Sequence, residues 1–244
     1  AKEARQIGEL DLRISPDGQW LAQLRSSPLF KQCRDDVLVE VERRLRRRQF
    51  RRGEVIFHQG DPGDALHVVG SGSVKIVLPS TEGDEAIIAT LRPGDFFGEL
   101  ALLDGAPHSA TAVAVEPTET FTLPREVFLE LLGEQPALRD ALLQGLAVEL
   151  RRLTGHVEEL HFLDLAGRLA MRLTRLAEEG ERDASGEVSL DWPYTQSELA
   201  SMIGGTRQSV NRLLSELVDD GLVRIERDRL IIGDLDELAR RAER

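Results

Sequence analysis

Between Pro136 and Leu160 the chain carries one unbroken run in which Leu142, Leu146, Leu150, Leu153, Val157 and Leu160 recur at steps of four and three. Such steps place all six on one stripe of an α-helix, the seam along which helices pair in coiled coils. About three heptads cannot bury themselves against solvent, so the stripe predicts a dimer interface, parallel and two-fold. The competing reading is a core helix lying on a sheet. The flanking sequence separates the two.

At 244 residues the chain has room for two domains, each with its own core, and the long helix would join them. Cys33 is the single cysteine, which excludes an intramolecular disulfide, a Cys-ligated iron–sulfur cluster and a Cys-based zinc finger. No metal site is expected. The opening residues AKEARQIGEL lack an apolar h-region, and no apolar run approaches the roughly 18 residues that would span a bilayer. A cytoplasmic protein without a membrane partner is expected. The net charge of -12 argues against nonspecific attachment to nucleic acid, yet a specific reader needs only a small positive surface.

Residues 1–27 read as an N-terminal arm, with a turn at Ser15-Pro16-Asp17-Gly18 and Trp20 as its large anchor. From Asp35 to Leu45 the positions of Val37, Leu38, Val41 and Leu45 fit a short amphipathic helix. It runs into Arg43, Arg44, Arg46, Arg47, Arg48, Arg51 and Arg52, either a solvated face or a docking patch for an anion or protein. From Gly53 onward short apolar runs alternate with glycine turns: Val55–Phe57, Leu66–Val69, Val74–Val77, Ala86–Ile88, Ala112–Val115 and Thr120–Leu123. Gly60-Asp61-Pro62-Gly63-Asp64, Gly70-Ser71-Gly72, Glu82-Gly83-Asp84 and Pro93-Gly94-Asp95 separate them. Many short strands at such spacing predict a barrel or jelly roll.

The segment from Phe96 to Thr111 breaks this rhythm. It reads as a helical turn beginning near Gly98, a loop over Asp104-Gly105, and a return to strand at Ser109. A helix start facing a hydroxyl residue can cradle an anion, and Glu99 can hold a ribose hydroxyl. Gly-Asp-Phe-Phe-Gly-Glu-Leu-Ala-Leu-Leu followed by Ser-Ala, with the glycine-punctuated strands before it, resembles the cyclic-nucleotide-binding domain of the CRP/FNR family of transcription regulators. The resemblance extends over residues 28–233. It implies that Gly98, Glu99 and Leu100 occupy the ribose and phosphate positions and Ser109 the phosphate-binding serine.

Two positions depart from the family pattern. His108 stands where an arginine normally pairs with the cyclic phosphate, replacing a fixed charge and a two-pronged fork by a single titratable ring. The loss is worth roughly 1.5–3 kcal/mol, about one to two decades in affinity. On the long helix Leu153 and Thr154 fall where the family carries two adenine-contacting hydroxyls, so only Thr154 keeps one. Three effector readings follow: a cyclic nucleotide, cAMP or cGMP, with the charge supplied by His108 or a nearby arginine; cyclic di-GMP, with the arginine run as a phosphate donor; or an unidentified effector, haem, or none. Haem would take an axial ligand from His58, His67, His108, His156 or His161.

Asp164 is placed to cap a helix whose apolar face is Leu165, Leu169, Leu173 and Leu176, and Phe-Leu-Asp-x-x-Gly-Arg here resembles the family hinge. A turn-rich acidic stretch, 178–192, holds a short strand from Glu187 to Leu190. Thr195-Gln196-Ser197-Glu198 forms a capping box before Leu199, Ala200 and Ile203; Gly204-Gly205 ends that helix and Thr206 caps the next. The second helix buries Val210, Leu213, Leu214 and Leu217 and carries exposed Arg207, Gln208, Asn211 and Arg212, a helix-turn-helix. Strands at Leu222–Ile225 and Leu230–Ile232, turning at Asp228, supply a wing.

Gly-Thr-Arg-Gln-Ser-Val-Asn-Arg-Leu-Leu also matches the family's recognition helix. The match implies that Arg207 and Arg212 read guanine edges, that Gln208 prefers adenine where well-known members carry glutamate, and that Thr195, Gln196 and Thr206 position phosphates. The expected fold is α+β: an arm (1–27), a double-stranded β-roll, or jelly-roll, domain (28–134), a dimerisation helix and hinge (135–163), and a C-terminal winged helix-turn-helix (164–244). The expected function is ligand-regulated control of transcription by a homodimer on a palindromic operator in double-stranded DNA, with RNA polymerase as a partner. No catalytic arrangement is present, so no enzymatic activity is expected. The alternatives are a ligand-independent dimeric DNA-binding protein and a haem or redox sensor of the same family.

Overall fold

A computed structural model describes residues 24–80, 85–177, 180–182, 187–191, 195–226 and 229–242. The arm with its turn at Ser15-Pro16-Asp17-Gly18 and with Trp20, the turn at Glu82-Gly83-Asp84, Asp228 and much of the acidic stretch 178–192 lie outside the described residues. Contacts divide the chain into two units inside the long helix: residues up to Leu78 with Ile88–Ala147, and Pro79–Ile87 with Val148 onward.

The first unit contains α1 (Asp35–Arg44), β1 (Arg46–Phe50), β2 (Val55–Phe57), β3 (Ala65–Ser71), β4 (Val74–Pro79) up to Leu78, β5 (Glu85–Leu91) from Ile88, β6 (Phe96–Phe97), α2 (Glu99–Asp104), β7 (Thr111–Ala114), β8 (Thr118–Pro124), α3 (Arg125–Glu134) and the first part of α4 (Pro136–Phe162). One sheet has the order β1-β8-β3-β6 and the other β2-β7-β4-β5, the two faces of a β-roll. Alternation along β3 builds both of its cores. Leu66 and Val68 join Phe121 and Leu123 of β8 beneath the helices, while Val69 faces Val74, Phe97 and Ala112 inside the roll. Buried on both sides, β3 reads in sequence as a continuous apolar run.

Three features of this unit differ from the sequence reading. Part of the arginine run is strand β1, paired with β8 from Arg46↔Thr122 to Phe50↔Thr118. Because β1 is an edge strand, Arg46, Arg47 and Arg48 are all exposed, and no apolar alternation marks it. Arg47 pairs with Glu119, Arg44 with Glu40 and Glu130, and Arg48 lies over the Phe50 ring. Phe96–Phe97 is a short strand, and Arg125–Glu134 is a helix that buries Phe128, Leu131 and Leu132.

The long helix has 27 residues and ends at Phe162. Its apolar stripe needs a correction. Leu142 is 3% exposed and belongs to the subunit's own core with Leu138 and Ala141, and Leu146 packs partly buried against that core. A side chain already enclosed within its own chain has no surface for a partner. Leu143, 59% exposed, keeps the spacing in its place: Leu143, Leu146, Leu150, Leu153, Val157 and Leu160 alternate steps of three and four throughout, and all but Leu146 are exposed large hydrophobics.

In the second unit α5 (Leu165–Ala177) is followed by β9 (Glu181–Arg182), β10 (Val188–Asp191), α6 (Gln196–Ile203), α7 (Arg207–Asp219), β11 (Val223–Glu226), β12 (Arg229–Ile232) and α8 (Leu235–Ala242). The sheet order is β11-β12-β10-β9. Asp164 caps α5 through Oδ1, which accepts from the Gly167 N–H at 2.8 Å. Helix α8, absent from the sequence reading, packs on α5 and buries Leu238 and Ala242. Among the described residues no helix is long and apolar enough to cross a membrane.

Candidate effector site and DNA interface

Within the first unit the chain turns sharply at Gly98, whose φ of 86° suits glycine. A Cβ there would also lie 3.2 Å from the Ala65 carbonyl oxygen. This turn starts the short helix α2, setting Glu99 half-buried and Leu100 exposed; Ser109 is exposed at the far end of the segment. Phe96, just before the turn, packs on the long helix. Gly145 makes room for it, since a Cβ at that position would come within 2.9 Å of the Phe96 ring.

His108 takes an unexpected direction. Its backbone is pinned to the β2–β3 turn, donating to the Asp61 carbonyl at 2.8 Å and accepting from the Gly60 N–H at 2.9 Å. Its ring is 6% exposed and stacks on Phe57 with centroids 3.6 Å apart and planes within 5°. Phe57 further contacts His67 and Phe97, so four rings cluster inside the roll. Burial pushes the His108 pKa down, against the upward pull of Asp64 and Asp61. His67, which shares a hydrogen bond with Thr120 Oγ1 at 3.3 Å, is pushed to about 3 by burial, with Arg48 and His108 adding to the effect. Both rings are therefore neutral near pH 7. The position to which the resemblance gives an arginine holds a buried neutral ring rather than a cation.

Thr154 lies in the second unit, exposed, with its hydroxyl donating to the Leu150 carbonyl at 2.9 Å. Of the other histidines considered for haem, His161 Nδ1 lies 3.1 Å from the Val157 carbonyl and His156 lies 3.8 Å from Glu159. Among the described residues no group of three or more His, Cys, Asp or Glu side chains could hold a metal ion.

The two helices α6 and α7 stand as the spacing predicts. Thr195 and Glu198 form a reciprocal capping box, Gly204 ends α6 in the left-handed region, and Thr206 caps α7 by accepting from the Ser209 N–H at 3.1 Å. Val210, Leu213, Leu214 and Leu217 are buried; Arg207, Gln208 and Arg212 project outward. Asn211 is a correction to the expected exposed face. It is half-buried, with Oδ1 shielded and lacking a hydrogen-bond partner, because it stands beside the buried Val210 on the helix. Thr195 donates its hydroxyl to Glu198 at 3.0 Å, so that proton is engaged; Gln196 and Thr206 are exposed at their helix starts. Arg212 is bonded to Glu216 one turn on, a partner that the four-residue spacing makes visible in the sequence but that the sequence reading missed. Phe57 was missed too, and no local pattern announces its contact with His108.

Comparisons with known proteins assign both halves. The cyclic nucleotide-binding domain family matches residues 47–135, and the Crp-like helix-turn-helix domain family matches residues 167–241. A CRP-like cAMP-activated global transcriptional regulator of Mycobacterium tuberculosis is 30% identical over 219 residues, covering 90% of this chain and 98% of that protein. The cyclic AMP receptor protein of Thermus thermophilus is 35% identical over 202 residues, covering 83% and 90%. The solved structure of a CRP/FNR-family transcriptional regulator from Thermus thermophilus superposes with a TM-score of 0.64 at 32% identity, covering 81% of this chain and 98% of that one. A cyclic nucleotide-binding domain, a long helix and a Crp-like helix-turn-helix thus stand in one chain, which belongs to the CRP/FNR family of transcription regulators and not to a family of enzymes.

Proposed function

We propose that this chain acts in the cytoplasm as a homodimer that reads a palindromic operator, its DNA affinity set by an effector bound in the β-roll domain. The observation that carries the reading is the outer face of α7, where Arg207, Gln208 and Arg212 project while the opposite face is buried in the domain core. Arginine pairs with guanine O6 and N7, and glutamine with adenine N6 and N7, in the major groove. Thr195, Gln196 and Thr206, at the two helix starts, would position phosphates. Two such helices must reach successive major grooves, about 34 Å apart, which the stripe from Leu143 to Leu160 would enforce by pairing two copies. RNA polymerase is the expected partner of a regulator from this family.

The effector in this reading is a cyclic nucleotide held by Gly98, Glu99, Leu100 and Ser109 without an arginine. A second reading, operator binding without any effector, has its own support: the neutral His108 ring is stacked on Phe57, and Leu153 extends the apolar stripe where the family carries a hydroxyl. Calorimetric titration with cAMP, cGMP and cyclic di-GMP, paired with anisotropy on a selected operator, separates the two. The first reading expects a cyclic mononucleotide to bind and to tighten operator affinity tenfold or more. Tight operator binding with no nucleotide bound would replace it by the second.

A further inference from the structure

The outer face of α7 carries two exposed acids, Glu216 and Asp219, and Glu216 is the one that pairs with an arginine. Arg212, its side chain 70% exposed, has Nη1 3.1 Å from Oε1 of Glu216, which is 52% exposed one turn further along the helix. From Thr206 to Ser215 the helix and its cap contain no carboxylate, so Glu216 is the first. It is not part of the core, which takes Leu217 instead, and the helix closes through the backbone of Asp220. A carboxylate so placed repels phosphates, so a DNA-reading helix would do better without it unless it has a task.

We propose that Glu216 is a positioning residue for base reading: its bond to Nη1 steers the Arg212 guanidinium so that the Nε/Nη2 edge is left for guanine. This rests on Arg212 being a guanine reader. A guanidinium offers five N–H donors in a fixed fork, and a bond at one Nη1 proton leaves the side edge, with its two parallel donors, free to meet O6 and N7. In free protein the exposed pair biases the side chain only weakly. Exclusion of water at the DNA interface strengthens the same bond at the moment the base is read. Arg207, in the first turn, makes no ion pair among the described residues and serves as an internal comparison.

Competition binding to operators altered at one base pair in both half-sites tests the proposal in the full chain. Glu216→Ala is expected to lower the preference for guanine at the Arg212 base pair about threefold per half-site, or about tenfold for the symmetric operator. Glu216→Gln, whose amide oxygen can still accept from Nη1, is expected to keep most of that preference. The preference at the Arg207 base pair is expected to stay unchanged in both variants. Each preference is a ratio within one protein, so any loss of folded material cancels. If Glu216→Ala raises affinity for all operators equally and leaves the ratio intact, the residue is a repelling charge and nothing more, and the proposal is overturned. Arg212→Gln on the same operators checks the underlying reading. If it too leaves the preference intact, Arg212 is not the reader; if it removes the preference while Glu216→Ala does not, only the steering role fails.

Discussion

His108 exchanges more than a charge. Its ring fills space against Phe57 inside the roll, next to His67, and both histidines are held below their ordinary pKa chiefly by burial. With folded values depressed, the unfolded chain takes up protons below about pH 6.5 while the folded chain does not. Stability is therefore whole above that pH and lost as pH falls toward the folded value, about 3 for His67, at no more than about 1.4 kcal/mol per pH unit for each ring. His67→Phe, joining Phe57 and Phe97, should flatten the dependence: the stability lost between pH 7.5 and 5.0 in urea unfolding should shrink by about 2 kcal/mol. An unchanged loss would place the proton uptake elsewhere. Sequence alone places His67 in a strand. Which side of the strand it faces, and that the ring at 108 turns inward, depends on Thr120 and Phe57, both remote in the chain.

Among the elements, α4 shows how far periodicity reaches. The run from Pro136 fixes the helix within two residues of its observed end, but counting steps of three and four cannot tell Leu142 from Leu143, neighbours that face different surroundings. The assignment depends on α3 and α1, which supply the core that encloses Leu142. Leu142→Ala should lower the stability of the first unit by about 2–5 kcal/mol in urea unfolding. Leu143→Glu should leave that stability nearly unchanged and instead weaken self-association in sedimentation equilibrium. The opposite pattern would restore the original stripe. Strand β1 escaped for the converse reason: arginines exposed on both faces of an edge strand carry no alternating pattern, and only pairing with β8 defines it. The capping box and glycine stop of α6 and the Thr206 cap of α7 were legible because they are local, decided within a few residues.

At the scale of the whole molecule the net charge of -12 hides a reading helix with a locally basic start, and the two matched domain families account for most of the chain between residues 47 and 241. DNA reading was easier to infer than effector identity, since the former rests on one helix and the latter on contacts assembled from several strands and loops. The division of contacts between Ala147 and Val148 bears on how the protein can be taken apart. Leu138, Ala141 and Leu142 complete the first unit's core, and all three lie beyond residue 134, where sequence texture ended the β-roll domain. An expressed fragment stopping at 134 loses these three plugs and should aggregate, whereas one stopping at 147 should give a cooperative melting transition. The smallest fragment expected to fold by itself is thus longer than the β-roll by half a helix.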